Sequence, residues 1–107
     1  MNYRIMKILC MFDLPTETEK DKRAYRIFRK NLIKEGFRMV QYSIYAKTCV
    51  SRESAAGVVG RIRKYVPDQG NIRLLTVTEK QYEDMILLVG SKKVNEEKVG
   101  SKRLIIL

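Results

Sequence analysis

A run of apolar residues that stops at a single acid is the feature that most restricts how this chain can fold. Residues 5–12 are apolar on nearly both faces of an extended chain, which is typical of a strand buried inside a sheet. Asp13 follows, and Leu14-Pro15 then interrupts regular structure. Thr16 and Glu19 have the spacing of a capping box. We therefore expect a buried strand, a carboxylate at its tip and then a helix.

The predicted first helix spans about residues 17–35 and ends at Gly36. Its apolar side carries Ala24, Phe28 and Leu32, with Tyr25 and Ile27 beside them. Most of the opposite side is basic and consists of Lys22, Arg23, Arg26, Arg29, Lys30 and Lys34. A cationic helix face is often simply solvated. Six bases without an acid among them favour contact with nucleic acid.

Composition supports a basic, single-domain protein. The chain has 107 residues, with 22 Lys and Arg against 12 Asp and Glu, a formal charge of +10. The excess is shared by both halves of the sequence, so polyanions are the natural partners, although charge that only keeps the protein in solution is the alternative. Histidine is absent, which excludes catalysis by histidine and histidine-ligated zinc within this chain.

No apolar run is long enough to cross a membrane and no signal peptide is visible. Cys10 and Cys49 lie in strand-like runs without a CxxC motif. We therefore expect a cytoplasmic protein with no membrane association, in which both cysteines are reduced core residues.

The rest of the chain predicts further short elements. Two antiparallel strands over 37–50 turn near Tyr42-Ser43, and Ser51 caps a second helix to about Tyr65. A break at 67–70 precedes a fourth strand over 72–78, a polar turn over 79–84 and a fifth strand over 85–89. Residues 91–102 read as a linker or mobile loop. The apolar tetrapeptide 104–107 is expected to pair with a sheet edge, in this subunit or in another.

The order β-α-β-β-α-β with an extra C-terminal strand is the ferredoxin-like α+β arrangement. We assign residues 1–90 to this domain and 91–107 to a C-terminal extension. Both helices should cover one face of the sheet. Because the first strand is apolar on both sides, the other face also needs a cover, and a sheet-to-sheet homodimer supplies one.

Asp13 is the candidate for chemistry. One carboxylate is a poor Mg²⁺ site, but a two-fold axis near the strand end would bring Asp13 from both protomers to one ion that activates water at a phosphodiester. Tyr42, Ser43 and Tyr45 would form a secondary site with hydroxyls at the same seam. The alternative is that Asp13 only begins the turn before the helix.

Several of these residues together resemble one family. Phe12-Asp13, the Arg-rich helix, Gly36-Phe37 and 41–45 (Gln-Tyr-Ser-Ile-Tyr) closely resemble CRISPR-associated protein two, the Cas-two family. Residues 78–82 (Thr-Glu-Lys-Gln-Tyr) and the C-terminal extension resemble its type II-A version. The family commonly has tyrosine where Phe12 stands, so any role of that hydroxyl is lost here.

The resemblance implies a ferredoxin-like homodimer with exchanged C-terminal strands, which works with the Cas-one integrase to capture foreign DNA as new spacers in antiviral defence. It also implies a Mg²⁺-dependent endonuclease acting on RNA or double-stranded DNA, with Asp13 as the catalytic metal ligand. Phosphate contacts are then expected from Arg23, Arg26, Arg29, Lys30 and Lys34. The alternative within the family is a DNA-binding scaffold that does no chemistry.

An RNA-recognition domain shares this topology. Such domains stack bases on sheet aromatics within a conserved run, but residues 35–40 depart from that run at its basic first position and its inner aromatic. A sheet face hidden in a dimer would also be closed to RNA. The sequence therefore disfavours this third interpretation.

Overall fold

The computed structural model describes residues 4–89 and 103–106. Its first strand, β1 (Met6–Asp13), alternates between buried and half-buried side chains until the exposed Asp13. Met6, Ile8, Cys10 and Phe12 point into the core. This confirms the predicted strand and its acidic end.

Helix α1 (Glu19–Lys34) begins two residues later than the expected capping box would place it. Thr18 is the N-cap: its hydroxyl accepts from the Asp21 amide, and the Asp21 carboxylate accepts from the Thr18 amide. The assignment of the box to Thr16 and Glu19 was therefore wrong. The pairs 16/19 and 18/21 both have the required spacing, and the backbone path after Pro15 determines which of them forms the cap. The predicted end is confirmed: Glu35 is the C-cap, and Gly36 follows with φ +101°.

A hairpin of β2 (Arg38–Gln41) and β3 (Ile44–Cys49) follows. It turns at Tyr42-Ser43 as predicted, although neither residue is glycine or asparagine. Ser43 takes the left-handed conformation (φ +65°) that this turn requires.

Helix α2 (Arg52–Ile62) starts after Ser51, whose hydroxyl accepts from the Ser54 amide, and continues as a 3-10 turn (Arg63–Tyr65). The predicted cap and the predicted end of this helical stretch are both confirmed. Ala55, Val58 and Ile62 are the residues through which α2 enters the core.

Strand β4 (Asn71–Thr78) leads directly into a short helix, α3 (Glu79–Glu83). The prediction of a polar turn over 79–84 was wrong, because Thr78 and Gln81 form a reciprocal capping box that winds these residues into a helical turn. Strands β5 (Ile86–Val89) and β6 (Arg103–Ile106) then pair in parallel as a separate two-stranded sheet within the same chain. The predicted linker 91–102 lies outside the described residues.

The main sheet has the strand order β2-β3-β1-β4 with every neighbouring pair antiparallel. This is the ferredoxin-like order, so the predicted fold is confirmed. The core lies on one face of this sheet, where residues of α1, α2 and the strands form one buried cluster: Met6, Ile8, Cys10, Phe12, Phe28, Leu32, Phe37, Tyr45, Cys49, Ala55, Val58 and Ile62. Both cysteines are free and buried there, and burial raises the pKa of Cys10 to about 12.

We call the other side of the main sheet the open face. The β1 residues on it are Lys7, Leu9 and Met11, which are half-buried in one chain. Leu75, directly opposite Leu9 on β4, is 49% exposed. Apolar side chains therefore remain in contact with water on this face, which is the reason to expect a second copy across it. The homodimer itself stays a prediction.

Candidate functional site

Asp13 lies at the edge of the open face. It is the last residue of β1, its side chain is exposed, and it sits directly opposite Asn71 of β4. Strand alternation puts Asp13 on the same side as Met11, away from the helices. The chain turns tightly beneath it, because Gly70 has φ +95° and a Cβ there would lie 2.7 Å from the Asp13 carbonyl oxygen. The backbone around the acid is therefore held in place from both strands.

Two β4 residues lie beside Asp13 on the open face. Asn71 is its direct partner, and Arg73 lies opposite Met11 on the same face. Together with Phe12 these residues line a small pocket of about 190 Å³. Neither Asn71 nor Arg73 is among the site residues predicted from the sequence. Alternation along β4 already placed both on one face, but only the register with β1 places that face beside Asp13.

The donor set of one chain is small. Among the described residues there is no group of three or more His, Cys, Asp or Glu side chains that could hold a metal ion. Among the residues that line the pocket, Asp13 and Asn71 carry side-chain oxygens. Such a set suits Mg²⁺ that keeps several of its waters, and a symmetry-related copy would double it. The residues therefore fit Mg²⁺ only as half of a shared site.

Four of the six predicted cations of α1 form one group on the helix surface. Arg23, Arg26, Lys30 and Lys34 fall within an arc of about 80° on the exposed side of the helix at 100° per residue. Within residues 4–89 none of these four is paired with a carboxylate. We call them the α1 stripe. Lys22, at the side of this arc, lies 3.6 Å from Glu19.

Arg29 does not belong to the α1 stripe. Its Nε donates to the hydroxyl of Tyr45 at 2.7 Å. Tyr45 is only 2% exposed, and its ring stacks on Phe12 with centroids 5.7 Å apart. Tyr45 thus faces the helices, on the opposite side of the sheet from Asp13, and its hydroxyl is already engaged by Arg29.

Tyr42 has the opposite environment. It is 80% exposed in the β2–β3 turn and lies near the side chain of Tyr25. Burial, and then the nearby Tyr42 and Tyr45, raise the pKa of Tyr25, whereas Arg29 lowers it. These four side chains therefore converge beside the turn. The structure does not bring the expected secondary site together. Tyr42 is exposed, Ser43 lies in the turn and Tyr45 lies in the core.

A second polar cluster lies at the other end of β1. Lys7 donates from Nζ to the Thr48 hydroxyl at 2.6 Å, is 3.3 Å from Glu79 Oε1, and lies 4.7 Å from the centre of the Tyr82 ring. The Lys7–Glu79 contact is an ion pair without hydrogen-bond geometry, since Glu79 Oε1 is buried and accepts no hydrogen bond. The cluster joins α3 to the sheet and so directs the chain that leads into β5.

In the ranges 4–89 and 103–106, no helix is long and apolar enough to cross a membrane.

The known proteins with similar sequences and structures described here carry the name of one family. A family model described as CRISPR associated protein Cas2 matches residues 6–85. The CRISPR-associated endoribonuclease Cas2 of Ligilactobacillus salivarius is 47% identical over 95% of this chain and 100% of its own length. The protein of the same name from Flavobacterium psychrophilum is 45% identical over 90% of this chain and 84% of its own length. A solved structure described as a crystal structure of cas2 has a TM-score of 0.51 at 15% identity, covering 89% of this chain and 98% of that chain, and supports the fold alone.

Proposed function

This chain belongs to the Cas2 family of CRISPR-associated proteins, and from that premise we propose that it is a Mg²⁺-dependent endonuclease acting on RNA or DNA. The observation that carries the proposal is the placement of Asp13, exposed at the end of β1 with Asn71 and Arg73 on the same face. The relatives described above are named endoribonucleases, in agreement with the endonuclease expected from the sequence.

Each residue of the proposed site has a separate role. Asp13 would hold the metal, and the amide oxygen of Asn71, its partner on the neighbouring strand, would support the metal directly or through water. When bound, Mg²⁺ supplies a water of lowered pKa and stabilises negative charge on a phosphodiester. Arg73 presents a fixed positive charge on the same face, where it binds and orients a phosphate oxygen. With no histidine in the chain, proton transfer falls to the carboxylate and to bound water.

The same fold supports a second function, that of a duplex-binding subunit without chemistry. The α1 stripe favours it, because four cations on one helix face, none paired with a carboxylate of the described residues, can each neutralise a phosphate. In this role a homodimer holds double-stranded DNA for the Cas-one integrase during spacer acquisition. As part of this second proposal, we assign the protein to the type II-A version of the family. The two functions use different surfaces of the chain, so one protein can have both.

Replacing Asp13 by Asn tests the nuclease. The substitution keeps the side-chain size and removes the charge that binds metal, so we expect Mg²⁺-dependent cleavage of RNA and DNA to fall by at least about 100-fold. Asp84→Asn is the matched control: this exposed carboxylate lies at the end of α3 beside Lys80, and its loss should leave cleavage unchanged.

Two further measurements separate the nuclease from the scaffold. Calorimetric titration with Mn²⁺ should show binding that Asp13→Asn abolishes, and sedimentation should show the same oligomer for both proteins. Duplex affinity measured without metal should be unchanged by Asp13→Asn, because the α1 stripe is intact. Equal cleavage by the wild type and Asp13→Asn would refute the nuclease at this site, and the scaffold function would then stand alone.

A further inference from the structure

We propose that a pocket at the start of β2 binds a free nucleoside diphosphate, a function beyond those proposed above. The pocket has a volume of about 580 Å³, a size at which proteins commonly hold small molecules. It lies where β3 extends past its neighbour, since β2 begins at Arg38, opposite Ala46, whereas β3 continues to Cys49. Lys7, which lines the pocket, is at the opposite end of β1 from Asp13. The pocket is therefore separate from the proposed nuclease site.

The charge of this pocket is positive. Its lining includes Lys7, Arg38 and Lys47, and none of the described residues that line it is acidic. The charge of Lys7 is balanced, because Glu79 Oε1 lies 3.3 Å from its Nζ. Within residues 4–89, no carboxylate forms an ion pair with Arg38 or Lys47. Two positive charges thus remain to attract an anion, and a diphosphate offers one phosphate group to each.

The ammonium of Lys47 is held at the wall of the pocket. Gly36 also lines the pocket, and a Cβ on it would lie 2.6 Å from Lys47 Nζ. The space for this ammonium therefore exists because residue 36 has no side chain, and its φ of +101° is likewise one that favours glycine. A cation that is already held in place loses little side-chain entropy when it binds an anion.

The rest of the lining suits a nucleoside. The Thr48 hydroxyl accepts from Lys7 Nζ at 2.6 Å, which leaves its own O–H to donate to a phosphate oxygen. Met39 and Val40 are exposed apolar residues of the same lining. A base and sugar would cover these apolar side chains, whereas inorganic phosphate would leave them in water. The pocket therefore favours a nucleotide over phosphate alone.

Calorimetric titration of the full-length protein with ADP in EDTA tests the site without metal or cleavage. Lys47→Met keeps the apolar stem but removes the charge, and Arg38→Gln keeps a polar side chain. Each should weaken ADP binding about tenfold, because charge-assisted hydrogen bonds to phosphate are lost. Lys64→Met is the matched control: it removes one charge from the 3-10 turn and should leave ADP affinity within about twofold.

Two other ligands test what the pocket recognises. Pyrophosphate should bind more weakly than ADP because it does not reach the apolar lining, and adenosine should bind more weakly still because it has no phosphate. Met39→Ala should weaken ADP binding a few-fold and leave pyrophosphate binding unchanged. Pyrophosphate binding as tight as that of ADP would overturn the assignment of a nucleotide.

No binding of ADP at millimolar concentration would overturn the inference. Equal weakening by Lys64→Met would also overturn it, since affinity would then come from overall charge. Fluorescence anisotropy with a labelled duplex separates the two sources of phosphate: Lys47→Met and Arg38→Gln should weaken duplex binding less than ADP binding, and a larger loss for the duplex would assign the pocket to a nucleic-acid backbone instead. Asp13→Asn should bind ADP like the wild type, so this inference and the nuclease can fail independently.

Discussion

Replacing both Arg26 and Lys30 by alanine removes two of the four cations of the α1 stripe. Each phosphate neutralised by a protein cation makes the logarithm of the duplex affinity fall with the logarithm of the salt concentration by a slope of about 0.9. If all four cations contact phosphates, the wild-type slope includes about 3.6 from the stripe, and the double variant keeps about 1.8 of it. The variant should therefore bind duplex DNA more weakly at low salt and lose less of its affinity as salt is added.

The size of the effect follows from the same slopes. Between 50 and 200 mM salt, a slope of 3.6 reduces affinity about 150-fold, whereas a slope of 1.8 reduces it about 12-fold. Fluorescence anisotropy with a labelled duplex over this range measures both values directly.

A matched control carries the same change of net charge elsewhere. Lys64 lies on the 3-10 turn after α2, and Lys80 is 3.8 Å from Asp84 on α3. Alanine at both positions should lower duplex affinity only slightly and keep the wild-type slope. If this control changes the slope as much as the loss of Arg26 and Lys30, affinity comes from overall charge and the α1 stripe is not an interface.

Two further substitutions, each with a second variant for comparison, test contacts at the two ends of β1. Gly70→Ala should destabilise the protein by about 1–3 kcal/mol, because its φ of +95° and a Cβ 2.7 Å from the Asp13 carbonyl are both unfavourable. Gly60→Ala, in α2 with open space around it, should instead stabilise the protein by about 0.5–1 kcal/mol. Urea denaturation that gave both variants the same sign of stability change would contradict this. Lys7→Met should cost about 2 kcal/mol by leaving the half-buried Glu79, whose Oε1 is buried, without its partner. Glu79→Gln in the double variant should restore part of the loss, because the contacts of Lys7 with Thr48 and Tyr82 stay lost. Thermal melts at fixed protein concentration measure both variants. If the Lys7–Glu79 ion pair contributed no more than an exposed one, the double variant would be no more stable than Lys7→Met.

The half-covered open face links these tests to oligomeric state. β1 is apolar on both sides, yet the described part of one chain covers only its helix side. A second copy would bury the apolar side chains of the open face and bring two Asp13 residues toward one axis. Stability measured on this protein will therefore depend on its concentration if the predicted dimer forms.

Local sequence determined most of the architecture. The apolar run ending at Asp13, the turn at Tyr42-Ser43 and the cap at Ser51 are each specified by a few neighbouring residues, and the structure has all three where they were predicted. Alternation also predicted that β1 would be apolar on both sides. Such features are readable because backbone conformation, capping and side-chain direction are short-range properties.

The neighbours of the site were decided only by the tertiary structure. Asn71 and Arg73 stand beside Asp13 because β4 pairs with β1 in one register, and a shift of one residue would have turned both to the other face. Arg29 leaves the cationic face of α1 because the fold brings the buried Tyr45 hydroxyl within 2.7 Å, although helix periodicity had grouped it with the other bases. Register and long-range packing depend on residues far apart in the chain, and for that reason no local pattern contained them.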